Sequence, residues 1–219
     1  MTLMGRFFAA TYDRHNAKSE RYGLRAMREG VLAEAAGRVL EVGAGTGSNL
    51  PYYGPAVASL TLTEPEPPMI RRLQAKVRAS GSPAIVLRAP AEDLPFEDDS
   101  FDTVVSTLVL CGVSDQPRAL REIRRVLRPG GRLVFLEHVR SDDERLARTQ
   151  ERMNGLNRFL VGCECTRPTL DSIRTAGFVV ERVDHVELPK TPKFIRPTIA
   201  GTATAPVPAP RHGSEPALR

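Results

Sequence analysis

Three glycines at alternate positions, Gly43, Gly45 and Gly47, follow a short apolar run and one acid, Glu41, in the stretch RVLEVGAGTGSNLPYY. Glycines so spaced let a bound ligand come close to the backbone. The dinucleotide fingerprint is G-x-G-x-x-G with an acid about 20 residues later. Here the third glycine falls one position early, and Ser48 stands in its slot. Glu64, 21 residues past Gly43, offers a carboxylate with two oxygens, enough to accept both hydroxyls of a ribose. Glu41 narrows the choice further. A carboxylate two residues before the loop repels a pyrophosphate and suits a cationic group such as an amino-acid ammonium. The bland alternative makes Glu41 a strand-end acid bound to a backbone amine. A ligand with a ribose, an amino group and positive charge but no phosphates matches S-adenosylmethionine.

Other reactive groups are few. His138 ends the run LEHV beside Glu137, and its imidazole could take a proton from an acceptor; a supporting hydrogen bond or strand-end packing is the rival reading. Cys111, inside the apolar LVLCGV, reads as a buried, inert thiol. Cys163 and Cys165 form C-x-C, and the sequence completes no four-ligand zinc pattern, so no metal is expected. An odd cysteine count without a framework suits a reducing cytoplasm. His15, His185 and His212 have no informative context. The net charge of +5 is spread over interleaved acids and bases, as in REIRR, which indicates solvated helix faces and no nucleic-acid partner. No apolar run approaches the roughly 18 residues of a membrane span, and the N-terminus lacks the apolar core of a signal peptide.

The elements that must position these groups alternate. A helical pattern covers about residues 6–36, with Gly37 as its stop. RVLEV reads as a strand, SLTLTEP as a second strand ending at Glu64, and PPMIRRLQAKVRAS as a helix opened by prolines. AIVLRAP and FDTVVSTLVL hold the next strands. DQPRALREIRRVLRPGG is a helix ended at Pro129-Gly130, and GRLVFLEHV a fifth strand. A polar helical stretch spans about 141–160, RPTLDSIRTAGF gives a short helix, and FVVERVDHVEL with FIRPTIAGTA reads as a final strand pair. From residue 202 the chain is Pro/Ala-rich and expected to be disordered. The expected organisation is an N-terminal helical lid at 1–36, a catalytic domain at 37–201 and a tail at 202–219. Alternating strands and helices argue for an α/β, doubly wound, mostly parallel sheet with helices on both faces. Ligands in such sheets bind beyond the carboxyl ends of the strands, where strand order reverses.

As a set, LEVGAGTG, the strand-ending TEP, AEDLPFEDDSFDTVVS and LREIRRVLRPGG resemble the class I S-adenosylmethionine-dependent methyltransferases. TLVLCGV, LRPGGRLVFLEHV, GCECTR and RPTIAG are similar to the methyltransferase-like seven group of thiol methyltransferases. The resemblance covers roughly residues 5 to 200. It implies seven strands with the last antiparallel and S-adenosylmethionine as cofactor. It implies backbone contacts from Gly43 and Gly45, close helix packing at Gly47, the methionine amine on Glu41 and the ribose on Glu64, next to Pro65. Met69 has two readings, packing or adenine contact. Pro90 stands where many relatives carry an Asp, which leaves the adenine to the backbone of Ala91 and the carboxylate of Glu92. Thr107 joins the cofactor set. Tyr12 either sits near the methionine end or packs with Phe7 and Phe8. Leu108 and Cys163 line the acceptor side. Human relatives of this group carry an apolar anchoring segment before this region; the chain begins almost at the domain, so a soluble, cytoplasmic protein is expected.

The expected reaction is methyl transfer to a small molecule, with a thiol sulfur as acceptor. Sulfur is intrinsically nucleophilic, and a thiol pKa of about 8.5 leaves a useful thiolate fraction near neutral pH. An N- or O-methyltransferase is the main rival. An NAD(P)-dependent oxidoreductase and a non-catalytic binding protein stand behind it. Oligomeric state is not legible.

Overall fold

Short runs of branched and aliphatic residues separated by amphipathic stretches assemble into one sheet. The computed structural model describes residue 14 and residues 17–207. The strands are β1 (Gly37–Val42), β2 (Val57–Thr63), β3 (Ile85–Leu87), β4 (Phe101–Thr107), β5 (Leu127–His138), β6 (Val179–Glu187) and β7 (Pro197–Thr204). They lie in the order β3-β2-β1-β4-β5-β7-β6. β1, β2, β3, β4 and β5 pair in parallel, and β7 runs antiparallel to both β5 and β6. Strand order reverses between β1 and β4, so the crevice for a ligand opens past Val42 and Thr107.

Alternation along β1 explains the two layers. Leu40 and Val42 face the core built on α3 (Gln116–Val126) and α5 (Thr169–Thr175), with Leu120, Ile123, Phe135 and Ile173. Val39 faces the opposite core, with Leu24, Val31 and Leu32 from α1 (Arg25–Leu32) and the turn before it, together with Val105 and Val134. A third cluster sets Leu73 and Val77 of α2 (Pro67–Ser80) on Leu62. The stripe Ala119, Leu120, Ile123, Val126 has helical period, and the Asp115 carboxylate accepts from the Arg118 N–H at 2.9 Å to cap α3. Burying a side chain such as Leu120 contributes about 2 kcal/mol. The polar helix α4 (Glu144–Val161) is capped by Asp143 and ended by Gly162 in the left-handed region.

Several boundaries differ from expectation. The N-terminal helix is interrupted at Gly23, with φ of 147°. α3 stops at Val126, before the Pro-Gly pair. Leu127 is already extended and pairs with Phe101, because β4 offers it sheet hydrogen bonds that another half-turn of helix would forgo. β4 ends at Thr107, where Leu108 turns with φ of 58°. The proposed tail boundary at 202 is too early: β7 runs to Thr204, with Thr202 and Ala203 buried between β5 and β6. A strand flanked on both sides keeps its pairing whatever its low apolar content suggests. Tyr12 and residues 208–219 lie outside the described residues.

Candidate active site

β1 delivers Glu41 to the crevice, buried at 2 % exposure. Its two carboxylate oxygens accept from the Asn49 side-chain amide at 2.8 Å and the Tyr53 hydroxyl at 2.7 Å. Burial outweighs these bonds and pushes its carboxyl up to about 7 from an ordinary 4.5. Asn49 also donates to the Thr107 hydroxyl at 2.8 Å and accepts from the Arg28 guanidinium at 2.8 Å. Arg28, itself buried in α1, reaches Thr107 at 3.2 Å and pairs with Glu20 at 2.9 Å. Thr107 is therefore a junction of this network at the end of β4. Arg28, Asn49 and Tyr53 are the residues sequence reasoning missed. Arg28 sits in a helix that reads as amphipathic, so nothing in the pattern marks it as buried.

Gly43, Gly45 and Gly47 all hold positive φ, near 58°, 58° and 79°. The loop is tied to β2 by Glu64, whose two oxygens accept from the Gly45 N–H at 2.9 Å and the Glu66 N–H at 2.9 Å. Glu64 is 5 % exposed, and burial raises its pKa. A Cβ at Gly45 would meet nothing within 4 Å, whereas one at Gly47 would lie 2.9 Å from Leu73 and one at Gly43 2.8 Å from Val109. The open space over Gly45 therefore adjoins the loop that Glu64 ties to β2, one strand away from Glu41.

The remaining cofactor-side candidates are less uniform. Met69 is buried at the start of α2, and Ala91 is buried in the core beside Leu94. Pro65 is half-buried, and its carbonyl accepts from Arg88. Glu92 is committed elsewhere: its carboxylate accepts from the backbone N–H of Ser114 at 2.7 Å and of Asp115 at 3.3 Å, and so fixes the entry to α3.

On the acceptor side, Glu137 is fully buried. It accepts from Ser106 at 2.7 Å, from the Val109 N–H at 3.0 and 3.1 Å and from the Cys111 N–H at 3.4 Å. It thereby shapes the turn after β4 that carries Leu108, whose side chain packs toward the α1 core. His138 ends β5 with its Nδ1 3.5 Å from Cys111 Sγ and 3.3 Å from Cys163 Sγ. Burial alone would lower the imidazole, but the neighbouring Cys111 outweighs it and raises His138 to about 9. Both ring nitrogens are buried, with Nδ1 against two cysteine sulfurs, and that geometry offers no support for the expected general base. Cys165 Sγ lies 3.5 Å from Cys163 Sγ. Elements far apart in sequence thus bring ligand atoms of Cys111, His138 and Cys163 within 4.8 Å of one another, with Cys165 beside Cys163.

The site suits S-adenosylmethionine on its own chemistry. Glu41 is a buried acid whose ionisation is held back, and a ligand cation beside it would relieve that. The glycine turn leaves room at Gly45, whose N–H is held by the Glu64 carboxylate. No helix among the described residues is long and apolar enough to cross a membrane.

Comparison with known proteins agrees. Residues 40–135 match a family described as a methyltransferase domain. Human thiol S-methyltransferase TMT1A is 31 % identical over 201 residues, covering 90 % of this chain and 82 % of the relative. Human thiol S-methyltransferase TMT1B is 43 % identical over 114 residues, 49 % of this chain and 46 % of its own length. Phosphatidylethanolamine N-methyltransferase of Cereibacter sphaeroides is 39 % identical over 117 residues, covering 52 % of this chain and 57 % of that protein. In fold alone, an S-adenosylmethionine-dependent methyltransferase from Thermotoga maritima superposes with a TM-score of 0.67 at 24 % identity, covering 92 % of this chain and 98 % of its own. With its seven-stranded sheet, its glycine turn between two acids and a relative aligned along nine-tenths of its length, the chain belongs to the class I S-adenosylmethionine-dependent methyltransferases, and S-adenosylmethionine is its cofactor.

Proposed function

We propose that this enzyme transfers the cofactor's methyl group to the sulfur of a small, apolar thiol. The observation that carries the reading is the alignment with TMT1A, named a thiol S-methyltransferase, over 90 % of this chain. The state of the acceptor side supports it. Glu137 is occupied by three backbone and side-chain donors, and His138 faces cysteine sulfur, so neither is placed to deprotonate a reluctant oxygen or carbon. A thiol ionises unaided near neutral pH.

Bound, the cofactor supplies a sulfonium methyl that needs no further activation. The chain's own task is alignment and exclusion of water. Glu41 would hold the methionine ammonium and Glu64 the ribose hydroxyls, with Gly43, Gly45 and Gly47 allowing close approach. Pro65, Met69 and Ala91 would border the adenine, while the Glu92 carboxylate stays on the N–H groups of Ser114 and Asp115. Thr107, through Asn49, keeps Glu41 in place, and Leu108 and the Cys163 segment would border the acceptor. The acceptor thiol would give its proton to solvent and its sulfur would take the methyl as the sulfonium–methyl bond breaks, with S-adenosylhomocysteine as the other product. Three reduced thiols agree with a cytoplasmic setting. The test is a panel of thiols, hydrogen sulfide, phenols and amines with labelled cofactor. Thiols should turn over, at rates that climb as pH approaches the thiol pKa. Turnover of phenols or amines without any thiol would end the thiol assignment. The amine outcome is the second reading, favoured by the match to phosphatidylethanolamine N-methyltransferase.

A further inference from the structure

Cys111, His138, Cys163 and Cys165 come from three parts of the fold: the turn after β4, the end of β5 and the segment after α4. All four are buried, at 1, 6, 9 and 2 % exposure. Their reactive atoms crowd one point. Nδ1 of His138 is 3.5 Å from Cys111 Sγ and 3.3 Å from Cys163 Sγ, and Cys163 Sγ is 3.5 Å from Cys165 Sγ. One ligand atom from each of Cys111, His138 and Cys163 falls within 4.8 Å of the others. Tetrahedral zinc with Zn–S near 2.3 Å and Zn–N near 2.0–2.1 Å separates its ligand atoms by about 3.5–3.8 Å; the contacts of His138 with Cys111 and Cys163 lie close to that, and Cys165 Sγ stands beside Cys163, outside the group of three. Apolar packing does not demand this. Three thiols make only weak mutual hydrogen bonds.

The surroundings hold the sulfurs in place. The Glu164 N–H bonds the Cys111 carbonyl at 2.8 Å, and the Asn157 amide reaches the Cys163 carbonyl at 2.7 Å and Cys165 Sγ at 3.5 Å. Arg167 donates to the carbonyls of Leu110 at 2.8 Å and Val113 at 2.7 Å on either side of Cys111. These donors and backbone ties form the outer support that a thiolate-rich metal site needs.

We propose that Cys111, Cys163 and Nδ1 of His138 hold a thiophilic divalent cation of the zinc type, with Cys165, whose Sγ lies 3.5 Å from Cys163 Sγ, turning in as the fourth ligand. Binding releases the thiol protons and the His138 imidazolium proton to solvent and forms three metal–sulfur bonds and one metal–nitrogen bond, with no change of oxidation state. Full ligation and burial leave no open position, so the ion is structural: it staples the turn after β4 to β5 and to the chain beyond α4.

Metal analysis of the full chain, purified under reducing conditions with zinc supplied and then dialysed, should find about one zinc per chain. Cobalt in its place should give a thiolate-to-cobalt charge-transfer band and the strong visible absorption of tetrahedral Co(II). A strong chelator should lower Tm in the wild-type chain. Cys163→Ser should weaken zinc binding at least ~100-fold, more than is typical for loss of an outer partner. The cobalt spectrum of the wild-type chain decides the matter even if that variant fails to fold. Zinc at background, with three thiols titrating after denaturation, means packed thiols only and overturns the site. Two missing thiols mean a disulfide and overturn it equally. Zinc retained in Cys163→Ser, or an octahedral cobalt spectrum, does the same.

Discussion

At the scale of single residues, the two acids of the crevice serve different ends, and their variants should separate. Glu64 accepts two backbone N–H groups besides the ribose assigned to it. Glu64→Ala should lower S-adenosylmethionine affinity at least tenfold, since bonds to a charged acceptor are worth about 1.5–3 kcal/mol. Calorimetry on a variant shown to be folded checks this, and unchanged affinity would take Glu64 out of the site. Glu41 carries a pH signature. Its folded pKa of about 7 lies above the ordinary 4.5, so its contribution to stability is full below about 4.5 and is lost as pH rises through 7. The loss is roughly 3 kcal/mol, from 1.36 kcal/mol per pKa unit. Glu41→Gln without cofactor should therefore be more stable than wild type at pH 8 and bind S-adenosylmethionine more weakly. Denaturant titrations of both chains at pH 5 and pH 8 isolate this residue. A wild-type advantage at pH 8 would show that the Asn49, Tyr53 and Arg28 contacts outweigh burial. Legibility differed between neighbours here. The two acids were readable because carboxylates beside a glycine turn have few other uses. Arg28 and Asn49 were not, because their importance comes from being buried against Glu41 and Thr107.

At the scale of elements, the glycine turn makes two contributions that one substitution each can separate. Both Gly45 and Gly47 hold positive φ, so alanine at either costs about 1–2 kcal/mol of backbone strain. A Cβ at Gly45 meets no protein atom, and it intrudes on the space assigned to the cofactor. At Gly47 it presses on Leu73 of α2 at 2.9 Å. Gly45→Ala should lose cofactor affinity with Tm down only ~2–8 °C, at about 2–4 °C per kcal/mol. Gly47→Ala should show the larger Tm loss and a smaller loss of affinity. Thermal melts and calorimetry on the pair check the order, and the reverse order would place the cofactor against α2. The strands and helices themselves were largely legible, because period and capping signals are local. Their ends were less so. α3 gave up its last residues to β5 because Leu127 finds a partner in Phe101, and that partner is 26 positions away in sequence.

At the scale of the whole molecule, the antiparallel end of the sheet is where local reading was weakest. β7 pairs Val134 with Thr202 on one side and Arg182 with Thr202 on the other, so Thr202, Ala203 and Thr204 belong to the sheet. A chain ending at residue 201 should lose several degrees of Tm, and one ending at 207, which keeps every described residue of that end, should match the full chain in Tm and in cofactor binding. Equal stability of the two truncations would show that the last strand pairs contribute nothing. Taken by itself, the sequence determined the parallel α/β class, the glycine turn and its flanking acids, and the cofactor class, because those depend on residue type and short spacing. Only the tertiary structure decided what the long-range partners are. It made His138 the neighbour of cysteine sulfur, drew Glu92 to the start of α3, and set Cys111 and Cys163 against the same His138 nitrogen, with Cys165 beside Cys163. Cys111 and Cys163 are 52 positions apart, and no local period links them; crossover connections and buried hydrogen bonds bring them together.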